Sequence, residues 1–228
     1  MLPTILGSFI IGNCGSLVRG FISWITESTK KTELERQSLS MELELLRSQL
    51  NHHFLFNTLN NIDALIFKNP HKASDALIAL SSILRYMLYE TKTEKVPFDK
   101  ELENIQHIIH LEQLRIPVES YTRLTIEGTT AMVMVPPLLF VSFVENAYKH
   151  SVNMGKLPVI DIHFRHEDEK VHFTCKNSAT FSQPASDHPG NLGLENIARR
   201  LNLLYGDRCK LNISHTSSEF IVDLEIPC

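Results

Sequence analysis

Little in this sequence favours a secreted, fibrous or nucleic-acid-wrapping chain. Four cysteines (Cys14, Cys175, Cys209 and Cys228) are scattered along 228 residues without a C-x-x-C pair. A zinc site or disulfide frame therefore has no support, and reduced thiols in a cytosolic setting are expected. Nine glycines exclude a collagen-like repeat. Basic charge is not in excess: 22 Lys and Arg against 26 Asp and Glu leave a formal net charge of -4. That balance argues against a basic face for nucleic acid, so no direct nucleic-acid partner is expected. The 43% hydrophobic and 21% charged content is that of a chain that folds, in one or two domains.

Long apolar runs are also scarce, with one exception at 2–25, which reads LPTILGSFIIGNCGSLVRGFISWI. A membrane-spanning helix needs about 20 mostly apolar residues. The run is long enough, although Asn13 and Arg19 interrupt it. Arg19 can snorkel toward an interface marked by Trp24, and Lys30 and Lys31 downstream favour a cytoplasmic side for the remainder. A membrane helix over 1–26 is the expectation, with an amphipathic or buried helix of a soluble protein as the alternative.

What is present is helix and motif. Residues 33–68 hold neither glycine nor proline. Leu39, Leu43, Leu46 and Leu50, spaced 4, 3, 4, form a short coiled-coil seam. Beyond Leu50 the stripe changes face to Leu55, Leu59, Ile62 and Ile66, which leaves His53 and Asn57 together on the opposite, accessible face. Asn69-Pro70 ends the helix. A second helix over 71–90 carries Ala76, Leu77, Leu80, Ile83, Leu84, Met87 and Leu88 at helical spacing. The two would form an antiparallel hairpin, and two hairpins a four-helix bundle. A third helix is expected over 98–115. Adjacent His52 and His53 make a poor metal pair, because neighbouring side chains diverge on a helix. An imidazole is nonetheless a competent phosphoryl acceptor near neutral pH.

Further on, Pro136-Pro137 precedes a helix expected over 138–151, with Leu138, Val141, Val144 and Tyr148 as its buried stripe. Glu145, Asn146 and Lys149 gather a carboxylate, an amide oxygen and a cation, a set suited to hydrated Mg2+ and phosphates. By themselves Glu145 and Lys149 read as a solvated helix face with an i,i+4 ion pair. Strands are expected over 159–164 and 170–176 with a turn at 166–169, then a Ser-, Pro-, Asp- and Gly-rich loop over 181–191. Gly190-Asn191-Leu192-Gly193 leads into a helix over 194–205, where backbone amides could cradle phosphate. Gly206 closes that helix, and strands over 210–216 and 220–226 finish the chain. The fold class is α+β: an N-terminal helical segment (1–26), a coiled coil and dimerising helical hairpin (27–97), and an α/β two-layer sandwich with a mixed sheet (98–228).

Three stretches together resemble LytS-type sensor histidine kinases. Leu46-Arg47-Ser48-Gln49-Leu50-Asn51-His52-His53-Phe54-Leu55-Phe56-Asn57-Thr58-Leu59-Asn60 is similar to that family's phosphoacceptor box, and Leu84-Arg85-Tyr86 to its L-R-Y element. Pro136-Pro137-Leu138 followed by Val144-Glu145-Asn146-Ala147-Tyr148-Lys149-His150 resembles its N-box. Leu192-Gly193-Leu194-Glu195-Asn196-Ile197-Ala198-Arg199-Arg200-Leu201 resembles its G-box and following helix. The resemblance implies a gyrase/Hsp90-like ATPase fold, ATP and Mg2+ as cofactors, and a homodimer through the hairpin. It makes His53 the phosphoacceptor and Glu145 the residue that orients or deprotonates it. Asn146 would hold Mg2+, with Lys149 and His150 beside the phosphates, and Asn177, Gly190, Asn191, Gly193 and Leu194 would contribute to the ATP site. The phosphoryl group would pass to an aspartate of a response regulator, commonly one with a LytTR domain. A place at the inner, cytoplasmic membrane, with the catalytic part in the cytoplasm, completes the expectation.

The sequence departs from that pattern in three places. The proline before the acceptor is His52, and the first G-box glycine is Asn191. The usual D-x-G box, whose Asp hydrogen-bonds the adenine amino group, is Asn177-Ser178-Ala179. A neutral oxygen is a weaker acceptor, so weaker ATP binding is expected. The alternative reading is a nucleotide-binding pseudokinase that transfers nothing.

Overall fold

The computed structural model describes residues 24, 27, 30, 31, 52–116, 118–152, 155, 157–179 and 191–228. The chain divides into two compact units, 1–52 and 53–228. In the first, Trp24, Glu27, Lys30 and Lys31 are helical. The rest of the apolar run 2–25, and the coiled-coil seam from Leu39 to Leu50, lie outside the described residues. Among the described residues, no helix is long and apolar enough to cross a membrane.

Helix α1 (His52–Lys68) and helix α2 (Pro70–Tyr89) are separated by Asn69 alone. The break is chemical. Asn69 Oδ1 accepts the Lys72 backbone N–H at 3.1 Å, and Pro70 opens the next helix where its missing N–H costs nothing. The stripe α1 buries is Phe54, Thr58 and Ile62, whereas Leu59 and Ile66 of the expected stripe are exposed together with Phe56 and Phe67. On α2, Ala76, Leu80, Ile83 and Met87 are buried as expected, but Leu77 and Leu88 face out. Periodicity counted every apolar residue on these helices, while the chain itself covers only one side of each.

Helix α3 (Phe98–Arg115) occupies the span expected for it. A short strand before it, β1 (Val96–Pro97), pairs antiparallel with β3 (Met134–Val135), and the Phe98 N–H donates to the Val133 carbonyl at 2.9 Å. This ribbon joins the entry of α3 to the segment leading into Pro136.

The main sheet has five strands in the order β2 (Thr122–Glu127), β4 (Ile160–Glu167), β5 (Lys170–Ser178), β7 (Glu219–Pro227) and β6 (Lys210–His215). Only β2 and β4 run parallel, so the sheet is mixed, as expected. Strand β2 has no counterpart in the sequence reading. Only Leu124 and Ile126 of its six residues are strongly apolar, and Ile126 is exposed. The β4–β5 turn is tighter than the expected 166–169: Asp168 and Glu169 alone form it, at φ 51° and 57°, the primed geometry that matches strand twist. Alternation then divides the faces. Ile160, Ile162 and Phe164 of β4 and Val171, Phe173 and Cys175 of β5 are buried, and Asp161, Arg165, His172 and Lys176 point to the other side.

The core beneath the helices is aromatic. Phe140 lies 6.1 Å from Phe98, 5.0 Å from Phe164 and 5.1 Å from Phe173 between ring centroids, and Phe143 lies 5.6 Å from Phe173. Fully burying such a ring stabilises by about 1.5–3 kcal/mol, so this cluster anchors the helix layer to the sheet.

Candidate functional site

Helix α4 (Val141–His150) carries the N-box residues. It starts later than the expected 138, because Leu138 stands at φ 57°, a left-handed angle that a right-handed helix cannot include. Leu138 is therefore a turn residue, and the buried face of α4 is Val141, Phe143, Val144 and Ala147, seated on β4 and β5. Glu145 and Asn146 are half-buried, and Lys149 and His150 are exposed. Glu145 and Asn146 thus stand at the border of the core, with Lys149 and His150 on the solvent side.

The far end of α4 is pinned by side chains and backbone. Tyr148 shares a 2.6 Å hydrogen bond between its hydroxyl and Thr122 Oγ1, and its ring stacks on Tyr121 at 6.3 Å and 18°. The Tyr121 hydroxyl and Ser151 Oγ are 2.7 Å apart. The Val152 N–H donates to the Ser178 carbonyl at 2.8 Å, which stitches the exit of α4 to the end of β5.

Asn177 lies one residue before that stitch. It shares the helix-covered face of β5 with Phe173 and Cys175 and is 3% exposed. Its Nδ2 is buried and has no hydrogen-bond partner among the described residues. A buried polar group left unmet costs about 1–3 kcal/mol, so the amide marks a place suited to the polar edge of a ligand such as adenine. Neighbouring Cys175 is no competitor: burial pushes its thiol up to about 12, leaving it a protonated, inert side chain.

Helix α5 (Asn191–Tyr205) begins three residues before the expected 194, so Asn191 and Gly193 belong to its first turn and not to a preceding loop. Leu194 is half-buried in the same turn. Gly190 and the loop over 181–190 lie outside the described residues. Arg200 Nη2 donates to the Pro137 carbonyl at 2.9 Å, tying α5 to the turn that enters α4. Gly206 follows the helix at φ 56°, the closing position expected of it. His53 is in the first turn of α1, and its side chain lies outside the described residues.

The N-box helix is therefore tied at its entry to the G-box helix and at its exit to the end of β5, while His53 stands on a separate helix. Among the described residues, no group of three or more His, Cys, Asp or Glu could hold a metal ion. Asn146, the expected Mg2+ holder, offers one neutral oxygen and would need phosphate oxygens and water to complete an octahedral shell.

Sequence reasoning passed over Glu101 and Tyr121, and named Tyr86 and Tyr148 only as members of their motifs, with no partner. Glu101 did carry a signal. It falls on the apolar face of α3 with Phe98, Leu102 and Ile105, and it is fully buried. Burial pushes its carboxyl above the ordinary range, against the pull of the Tyr86 hydroxyl and the Leu138 and Phe140 N–H groups.

Residues 41–119 match the sequence profile of the histidine kinase family. The chain is 29% identical to the Sensor protein LytS of Staphylococcus haemolyticus over 226 residues, 92% of this chain and 39% of that one. It is likewise 29% identical to the Sensor histidine kinase/phosphatase LytS of Staphylococcus aureus, over 89% of this chain and 37% of that one. It thus spans about two fifths of the length of these curated relatives. In fold, it matches a solved bacterial phosphotransferase with TM-score 0.50 and 11% identity, covering 81% of this chain and 96% of that one. In the order of its phosphoacceptor-, N-box- and G-box-like sequences, in the profile match over 41–119 and in the likeness across nine tenths of its length, this chain is similar to the LytS-type sensor histidine kinases.

Proposed function

We propose that the chain is the kinase portion of a two-component sensor: an ATP-dependent protein-histidine kinase that phosphorylates itself on His53 and passes the group to an aspartate of a response regulator. The observation that carries this reading is the seating of α4. Its half-buried Glu145 and Asn146 share a helix whose exit is stitched beside the buried, unmet amide of Asn177. Bound ATP with Mg2+ supplies the phosphoryl group and the charge that offsets its oxygens. The protein's part is positioning and proton handling. Glu145 accepts or orients the imidazole proton of His53, so that the ring presents a lone pair. Asn146 would hold Mg2+ through its amide oxygen, Lys149 would add positive charge and His150 a ring N–H on the solvent side, and the backbone amides opening α5 at Asn191, Gly193 and Leu194 would serve the phosphates.

The exposed Phe56, Leu59, Ile66 and Phe67 of α1 and Leu77 and Leu88 of α2 suit a second copy of this chain, giving a homodimeric four-helix bundle. The apolar run 2–25 anchors the chain in the cytoplasmic membrane, and the regulator is of the LytTR type. Transfer of label from the phosphorylated chain to the receiver of such a regulator, lost when its aspartate becomes Asn, tests the reading. Label that forms and never transfers contradicts the phosphorelay half.

Asn177 favours the second reading, a pseudokinase, since a neutral amide replaces the carboxylate. Asn177→Asp restores a charged acceptor and is expected to tighten ATP binding by roughly fivefold, the difference of about 1 kcal/mol between neutral and charged hydrogen bonds. Titration calorimetry checks it. Unchanged or weaker binding contradicts the assignment of Asn177 to the base.

A further inference from the structure

Helix α4 lacks a cap of its own: the Phe140 side chain at its N-cap makes no cap hydrogen bond. The missing acceptor comes from another helix. Glu101 of α3 takes the Phe140 N–H on Oε1 at 3.4 Å and the Leu138 N–H on Oε2 at 3.0 Å. In a capping box a glutamate three residues into the same helix reaches back to the N-cap N–H, whereas this one arrives from 39 residues earlier in the chain. A carboxyl oxygen there also suits the positive end of α4.

The same Oε2 accepts the hydroxyl of Tyr86, which belongs to α2, and Arg200 of α5 holds the Pro137 carbonyl in the same turn. One five-residue turn, 136–140, is thus gripped from α2, α3 and α5 at once. Leu138 keeps its left-handed φ of 57° within that grip. Glu101 is 0% exposed and Tyr86 7%, so water cannot replace either partner without the joint opening. Glu145 follows Phe140 by little more than one helical turn, so a shift of this turn moves Glu145 with it.

We infer that Tyr86 and Glu101 are positioning residues that couple helix α2 of the hairpin to the entry of α4, so that Glu145 is aligned only while α2 holds the Tyr86 hydroxyl against Glu101. The inference rests on the histidine kinase reading for its catalytic consequence, but the coupling itself does not. Neither residue touches a reacting atom. Movement of the hairpin would reach the N-box through this contact, with no rearrangement of the sheet.

The test uses the full chain with Tyr86→Phe, which keeps the ring and removes one hydrogen bond. In nucleotide-free protein, hydrogen exchange of the Leu138 and Phe140 amides is expected to quicken about tenfold, the scale of one lost buried hydrogen bond. In the kinase assay kcat is expected to fall about tenfold while the KM for ATP stays within about twofold. Glu101→Ala should reproduce both effects, and Glu101→Gln, which keeps an acceptor for one backbone N–H, should recover part of the rate. Unchanged exchange at 138–140 overturns the coupling. A fall in kcat matched by a rise in KM overturns the positioning role, because a merely structural residue would loosen both. If the unaltered chain forms no phosphohistidine, the kinase reading fails separately, and the exchange result still decides the coupling.

Discussion

Replacing Glu145 with Gln will cut autophosphorylation on the order of 10²–10⁴-fold, the range that one positioned acid–base group supplies. ATP affinity will hardly change if, as proposed, Glu145 acts on the His53 imidazole and Asn177 on the base. The half-buried position of Glu145 makes the substitution tolerable: Val144 and Ala147, not Glu145, carry the seat of α4 on the sheet. Single-turnover labelling beside ATP titration checks both halves. A variant that loses ATP binding and labelling together would place Glu145 among the nucleotide ligands and contradict the role given to it. A variant labelled at the unaltered rate would remove it from the chemistry.

Phe140→Ala is expected to destabilise the 53–228 unit by about 3–5 kcal/mol, a large share of the roughly 5–15 kcal/mol typical of a domain. The ring is fully buried and meets Phe98, Phe164 and Phe173, so its removal opens a cavity between α3, the sheet and α4. Packed aromatics on three sides leave little room for collapse, which puts the cost at the upper part of the range. Urea unfolding followed by circular dichroism measures it. A loss under about 1 kcal/mol would mean that the cluster repacks freely, against the anchoring role assigned to it. The neighbouring backbone N–H of Phe140 still reaches Glu101 in that variant, so the stability effect and the coupling effect can be separated.

How much of this was legible from residues alone depends on what each signal measures. The span of α3 matched because a proline boundary, an acidic first turn and an unbroken apolar period agree on it. Strands β5 and β7 matched within two residues at each end, since both alternate cleanly between buried and open faces. Strand β2 did not, because a parallel edge strand with Arg123, Thr125 and Glu127 on one side carries little apolar signal. The start of α4 was misplaced by three residues, because Pro136-Pro137 marks a boundary but not the left-handed Leu138 beyond it. In the site, Glu145 and Asn146 were singled out by their polar cluster on one helix and by the resemblance, Asn177 by the resemblance alone, and they lie on α4 and β5, which pack together. The grip of Tyr86, Glu101 and Arg200 on the turn was invisible, for it joins residues up to 114 positions apart through tertiary packing, which no local pattern encodes.

The central claim is that His53 receives the phosphoryl group. Incubation of the chain with γ-labelled ATP and Mg2+, beside His53→Gln and His52→Gln, tests it most directly. The account predicts acid-labile label on the unaltered protein and on His52→Gln, and none on His53→Gln. Label that persists in His53→Gln, or ATP binding without any label on the unaltered chain, would contradict it, the latter in favour of the pseudokinase.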